Sequence, residues 1–291
     1  MKIKENENLS NYTTMGVGGP VPFLYLPESE QELIELVQRL HARKRSFRVI
    51  GNGSNLLVDD LGLPDDIICT KSLPRVLRIE DNIMTADSGY PVAQLAYQSA
   101  SKGLSGLEFA VGIPASIGGV VRMNAGAHHH TISEIVDSVR MVTPDGEVKI
   151  LSNADLHFSY RYSAIPSEGI VLDVTLRLSP DDSKLIHERI RKFNEYRTST
   201  QPQREKSAGC IFKNPGHSAA GKLIQDAGLK GFQIGGAAVS EIHGNFIVNR
   251  QNATFEDVMK LIEHIKKTVR EKQDVQLQEE VMIWSRQVAE R

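Results

Sequence analysis

The sequence predicts an α+β protein organised as three lobes, and three observations carry that prediction. Its 291 residues exceed one ordinary domain, and 40% of them are hydrophobic, which supports buried cores rather than a largely disordered chain. Helical-period segments with capping signals stand at both ends, with strand-and-turn patterns between them. A polar break, Ser179-Pro-Asp-Asp-Ser183, separates that strand-rich middle from the C-terminal region. The boundaries expected from these shifts are 1–75, 76–180 and 181–271.

In the first lobe, Ser29 and Glu32 form a capping box, and Leu33, Leu36, Val37 and Leu40 mark one helical face. A short strand over 47–50 runs into Gly51-Asn-Gly-Ser-Asn55, and Cys69, in the apolar run Ile67-Ile-Cys69, reads as core. In the second lobe, 76–80 and 83–86 flank Asp81-Asn82 as a hairpin, and 92–102 reads as a helix stopped by Gly103. A second hairpin pairs 139–143 with 147–151 around Pro144-Asp-Gly146, and 170–178 closes the lobe as a strand. The third region holds a helix ending near Tyr196, a helix over 219–227 capped by Gly228, and a strand over 245–248. Thr254 and Asp257 then start a long helix with Val258, Leu261, Ile262, Ile265 and Val269 on one side.

Net charge is -2 with no basic stripe, which argues against a nucleic-acid partner. The first residues lack an apolar run of signal-peptide length and no membrane-length run occurs further along, so neither export nor a membrane is expected. Two distant cysteines, Cys69 and Cys210, make no disulfide framework and no zinc spacing, and fit the reducing cytoplasm. No obligate protein partner is evident.

The segment Lys206-Ser-Ala-Gly-Cys210-Ile-Phe-Lys-Asn214-Pro215 sets one thiol on a glycine turn beside an amide and a cation. A thiol is a weak acid, able to give up a proton or to be activated for attack. A buried small hydrophobe is the competing reading of such a residue.

Two glycine segments invite a phosphate-bearing ligand. Val49-Ile-Gly51-Asn52-Gly53-Ser54-Asn55-Leu56 starts like a dinucleotide fingerprint, but Leu56 replaces the third glycine and no helix comes after it, so a Rossmann site is excluded. A nest of backbone N–H groups and an ordinary tight turn both remain open for it. Gly112-Ile113-Pro114-Ala-Ser116-Ile-Gly118-Gly119 allows close approach of backbone to a ligand, or a crossing between lobes. Two such segments, each after an apolar run, favour a large phosphate-bearing cofactor.

These segments, with Met123-Asn-Ala-Gly126, resemble the UDP-N-acetylenolpyruvoylglucosamine reductase family. The match continues in family order through Tyr160-Arg161-Tyr162-Ser163, the Cys210 segment, Ala220-Gly-Lys222-Leu-Ile224, Gly228-Leu-Lys-Gly231, Val239-Ser240, His243-Gly-Asn-Phe246 and Leu277-Gln-Glu-Glu280-Val281. The resemblance implies an FAD-binding fold of the p-cresol methylhydroxylase type with a C-terminal substrate-binding domain. Lobes 1–75 and 76–180 would hold FAD noncovalently, 272–291 would pack back as a strand carrying Glu280, and 181–271 would bind the nucleotide sugar. The short 161–179 stretch lacks the extra tyrosine-bearing loop of longer members, which implies the shorter, second type.

The implied reaction is NADPH-dependent reduction of UDP-N-acetylglucosamine enolpyruvate to UDP-N-acetylmuramate, for peptidoglycan. The catalytic residues implied are Arg161, stabilising negative charge on the substrate carboxylate; Cys210, protonating the intermediate where many members have Ser; and Glu280, bonding the carboxylate or relaying a proton. Glu279 rivals Glu280, although alternation along a strand would turn the two to opposite faces. Cofactor contacts fall on Gly51, Asn52, Gly53, Ser54, Asn55, Gly112, Ile113, Pro114, Ser116, Gly118 and Gly119. Asn214 would bind the nucleotide, with Lys213 and Lys222 as diphosphate contacts.

His128-His-His130 departs from the family pattern and reads as a polar loop, and no metal is expected. An oxidase on the same scaffold and a non-catalytic nucleotide-sugar sensor are the rival readings.

Overall fold

Helix α1 (Glu30–Ala42) begins where Ser29 accepts the Glu32 N–H at 3.2 Å, and it buries Leu33, Leu36, Val37 and Leu40. The capping box is half formed, because the Glu32 carboxylate accepts from the Glu28 N–H, 2.8 Å away, and not from Ser29. This is the computed structural model of the chain, and it describes residues 1–216 and 218–286. Residues 287–291 of the expected C-terminal segment lie outside them. The chain divides into two units, one of Met1–Lys4, Phe23–Asn52 and Asp65–Arg197, the other of Glu5–Pro22, Gly53–Pro64 and everything from Thr198 onward.

In the first unit the apolar face of α1 packs with Phe47, Ile68, Val142, Ile170 and Leu172. Strand Asp66–Cys69 pairs in parallel with Phe47–Ile50 and with Leu24 and Tyr25 of strand Pro20–Leu26. Cys69 is fully buried, as expected, and burial pushes its thiol pKa up. An antiparallel sheet follows in the order Val148–Ser152, Val136–Val142, Ile170–Arg177, Ile83–Asp87, Leu77–Glu80. It contains both anticipated hairpins, and Val139 faces Leu151 across the second.

Helix α2 (Val92–Ser101) shares a hydrophobic core with this sheet, and the chain leaves the helix through Gly103 at φ +68°. Helix α3 (Ile117–Arg122) arises inside the second glycine segment, for which the sequence predicts no helix. Glycines at 118 and 119 lower its intrinsic propensity. The N–H groups of Ile117 and Gly118 instead donate to Tyr90 and Ser88, so the neighbouring chain imposes the turn. Helix α4 (Ser183–Thr200) runs four residues past Tyr196 and ends ahead of Pro202.

The second unit has its own core. Helix α5 (Ala220–Asp226) and helix α6 (Phe255–Gln273) pack on the sheet Ser207–Cys210, Phe246–Asn249, Ala237–Val239, Gln233–Ile234. The Thr254–Asp257 capping box is complete, and the five apolar residues expected on one face of α6 are all buried. Each contributes about 1.5–3 kcal/mol by leaving water. Strand Leu56–Val58, directly after the first glycine loop, pairs in parallel with Met282–Trp284. Glu280 therefore precedes the C-terminal strand instead of lying in it. Among the described residues no helix is long and apolar enough to cross a membrane.

Candidate active site

The thiol of Cys210 is half-buried at the end of strand Ser207–Cys210, opposite Phe246. A bulge interrupts the pairing between Ser207 and Cys210, and Gly209 takes φ +76° within it. A side chain there would be strained, so glycine sets the direction in which Cys210 leaves the strand. Beyond it, Ile211 donates to the Asn245 carbonyl at 2.9 Å. The buried Asn245 amide clamps both sides of Phe212, accepting its N–H at 2.9 Å and donating to its carbonyl at 2.8 Å. Asn245 was missed as a site residue, although it sits inside the motif His243-Gly-Asn-Phe246.

The C-terminal segment joins this loop from far along the chain. The N–H of Glu280 donates to the Ile211 carbonyl at 2.8 Å, Glu279 bridges Phe212, and the Lys213 N–H donates to Gln278 at 2.8 Å. Asn55 of the first glycine loop donates its amide N–H to the Glu280 carbonyl at 3.2 Å. Cys210, Glu280 and Asn55 are thus brought together in one unit. Glu279, the rival of Glu280, is held by Lys266 of α6 at 2.8 Å. That contact and Glu263 raise the Lys266 pKa against the lowering effect of its burial.

The lysines fare differently. Lys222 is exposed on α5 and paired with Asp226 one turn on, at 2.8 Å. Lys213 is half-buried next to the Cys210 strand. Asn214 uses its side-chain oxygen to accept the Ala220 N–H at 3.0 Å, which caps the start of α5.

Gly51 and Asn52 of the first glycine segment meet the second segment within the first unit. Asn52 donates to the Pro114 carbonyl at 3.3 Å, and Gly51 lies against the Ser116 hydroxyl. Gly53 is required by close approach, since a Cβ there would stand 2.2 Å from the Tyr12 carbonyl and its φ is +65°. Thr14 donates to the Gly53 carbonyl and, through its hydroxyl, to Ser207 at 2.7 Å, so the loop is anchored to the Cys210 strand. Among the described residues, the backbone N–H groups of Asn52, Gly53 and Ser54 donate to no backbone carbonyl. A bare run of amides in a glycine turn fits an anionic diphosphate.

Arg161 occupies the third position of a tight turn closed by Ser159 and Tyr162, at φ +58°. Non-glycine residues seldom adopt this conformation, and strain of this kind gathers at functional sites. Its guanidinium lies 3.5 Å from the carbonyls of Asn124 and Gly126, and stacks over the Tyr160 ring. Asn124, buried, donates to the Ser159 carbonyl at 2.9 Å, and Ser163 donates to Arg122 at 2.8 Å. The motifs Met123-Asn-Ala-Gly126 and Tyr160-Arg161-Tyr162-Ser163 are therefore one structural piece.

The histidine triplet is a hairpin and not simply a polar loop. Ala127 pairs with His130, and His128 and His129 form the two-residue turn with φ +54° and +67°. His128 stacks flat on Phe193 at 4.0 Å with Tyr196 edge-on at 5.5 Å. His130 contacts Glu134 at 2.8 Å. Among the described residues no group of His, Cys, Asp and Glu could hold a metal ion.

Comparison with known proteins accounts for both units. Residues 21–152 match the FAD binding domain, and residues 201–284 match the C-terminal domain of UDP-N-acetylenolpyruvoylglucosamine reductase. The reductase of Bacillus subtilis is 43% identical over 284 residues, covering 97% of this chain and 94% of the relative. That of Clostridium tetani is 41% identical over 282 residues, covering 97% and 92%. The crystal structure of the reductase from Thermus caldophilus superimposes with a TM-score of 0.83 at 37% identity, covering 98% of this chain and all of that one. With an FAD-binding domain, the reductase's own C-terminal domain and near full-length likeness to its members, the chain belongs to the UDP-N-acetylenolpyruvoylglucosamine reductase family.

Proposed function

We propose that this chain reduces UDP-N-acetylglucosamine enolpyruvate to UDP-N-acetylmuramate with NADPH, a step toward peptidoglycan, with Arg161, Cys210 and Glu280 as catalytic residues. The observation that carries the reading is the junction of Cys210 and Glu280 across the Ile211 carbonyl, 2.8 Å from the Glu280 N–H. When bound, FAD would supply the hydride chemistry that couples NADPH oxidation to reduction of the enolpyruvyl group. It would be held by the loop of Gly51, Asn52, Gly53, Ser54 and Asn55 and by Gly112, Ile113, Pro114, Ser116, Gly118 and Gly119.

The chain's own residues do the rest. As the terminal carbon gains hydride, negative charge builds on the substrate carboxylate, and the Arg161 guanidinium stabilises it. The Cys210 Sγ–H gives its proton to the neighbouring carbon, which leaves a thiolate to be reprotonated from solvent. Glu280 hydrogen-bonds the carboxylate or passes that proton on. Asn214, Lys213 and Lys222 bind the nucleotide diphosphate, with Lys222 exchanging Asp226 for the ligand. On this reading 1–75 and 76–180 act as cofactor lobes, 181–271 as the substrate lobe, and 272–291 as the returning segment. The enzyme works in the cytoplasm on two small molecules.

The test is turnover of the FAD-loaded enzyme with NADPH and the enolpyruvyl nucleotide sugar. UDP-N-acetylmuramate formed in step with NADPH consumption supports the reading. Reduction of oxygen instead of the sugar would favour an oxidase, and sugar binding without product would favour a sensor.

A further inference from the structure

Four non-glycine residues with left-handed backbone fall on two segments that meet at the Arg161 guanidinium: Asn124 at φ +40°, His128 at +54° and His129 at +67° on one, and Arg161 itself at +58° on the other. The hairpin carrying the first three supplies the two carbonyls, of Asn124 and Gly126, that face the Arg161 guanidinium. A two-residue turn with both φ values positive is a type I′ turn, for which Asn-Gly is the favoured sequence and His-His is costly. Something outside the turn must hold it. The His128 ring lies flat on Phe193, 4.0 Å away and 10° from parallel, with Tyr196 against its edge. Both partners stand on one face of α4, and Phe193 is itself packed on the first unit's core. One residue beyond Tyr196, the Arg197 side chain lies across Gly112, so the same stretch of helix also touches the second glycine segment.

We propose that His128 is a positioning residue for Arg161: by stacking on Phe193 it holds the 124–131 hairpin so that the Asn124 and Gly126 carbonyls fix the guanidinium. The proposal rests on the role given above to Arg161. The imidazole acts as a flat ring in this contact, and an aromatic replacement serves equally. Asparagine, by contrast, suits the left-handed turn better than histidine but has no ring to stack, which separates turn stability from positioning.

The experiment uses FAD-loaded enzyme with His128→Phe, His128→Asn, Arg161→Ala and the double variant His128→Asn/Arg161→Ala. Flavin reduction by NADPH, flavin reoxidation by the enolpyruvyl nucleotide sugar and the unfolding temperature are measured for each. His128→Asn is expected to slow reoxidation by about tenfold or more, as a small misplacement of a catalytic group does. NADPH reduction and unfolding temperature should stay near wild type, and His128→Phe should restore reoxidation. In the Arg161→Ala background, His128→Asn should have no further effect, since the two residues act as one unit. If Arg161→Ala is slow while His128→Asn matches wild type, the positioning role is wrong and the catalytic reading stands. If both half-reactions fall together with the unfolding temperature, His128 is only structural and the proposal is overturned. Normal reoxidation by Arg161→Ala would remove the catalytic reading and this inference with it.

Discussion

The N–H of Glu280 donates to the carbonyl of Ile211 at 2.8 Å, which sets the glutamate one residue from Cys210 although 69 positions separate Glu280 from Ile211 (280 − 211). The Asn55 amide holds the Glu280 carbonyl from the other side. The segments carrying the thiol and the carboxyl group are thereby tied by a backbone bond, and the first glycine loop is tied to them through the Asn55 side chain.

Replacing Cys210 tests the proton donor. Cys210→Ser should keep measurable turnover, because a hydroxyl can still deliver a proton. Cys210→Ala should lose about 100-fold or more in reoxidation of the flavin by the sugar. Flavin reduction by NADPH should survive in both. Normal turnover by Cys210→Ala in steady-state assays would remove the thiol from the reaction.

Peroxide provides a chemical check on the same residue. Cys210 is half-buried and Cys69 fully buried, so oxidation should fall on Cys210. The native enzyme should lose activity to peroxide faster than Cys210→Ser does. Equal inactivation rates would mean that the damage lies elsewhere.

Asn245 carries a stability prediction. Its amide satisfies both the N–H and the carbonyl of Phe212, which is buried. Asn245→Ala leaves two polar groups unpaired and should cost about 2–4 kcal/mol in denaturant unfolding of the FAD-loaded protein. Turnover should also fall, because the clamped strand leads out of Cys210. A loss below about 0.5 kcal/mol would show that the loop is held by other bonds.

Acid sensitivity should trace in part to Glu30. Its carboxylate makes two 2.7 Å bonds to Arg140, which hold its pKa below the usual carboxylate range despite an opposing effect of burial. A depressed folded pKa adds stability that is present above the ordinary carboxylate range and lost as pH falls through the folded pKa. Asp173, the other partner of Arg140, has the opposite sign, because burial raises its pKa. The stability advantage of wild type over Glu30→Gln should therefore be largest near neutral pH and shrink in acid. An advantage independent of pH would show that packing, not charge, holds Arg140.

Much of the fold was legible because local chemistry and long-range packing agree. The face of α6, the Thr254–Asp257 cap and the register of Val139 on Leu151 all follow from short patterns. Disagreements occur where tertiary contacts override propensity. Helix α3 forms over two glycines because Ser88 and Tyr90 take its first amides. The Glu32 carboxylate leaves Ser29 for the Glu28 N–H and the chain's own amino terminus. Among the expected catalytic residues, the types at 161, 210 and 280 are visible as motifs. The left-handed turn of Arg161, the Asn245 clamp and the stack of His128 on Phe193 are not, since each depends on a partner that no local spacing reveals.

An anaerobic stopped-flow trace of flavin absorbance, with NADPH added first and the enolpyruvyl nucleotide sugar second, tests the proposed reaction in both its halves. Bleaching on NADPH and recovery on the sugar are expected, with recovery alone slowed in Cys210→Ala. Bleaching without recovery in the native enzyme would contradict the proposed reaction.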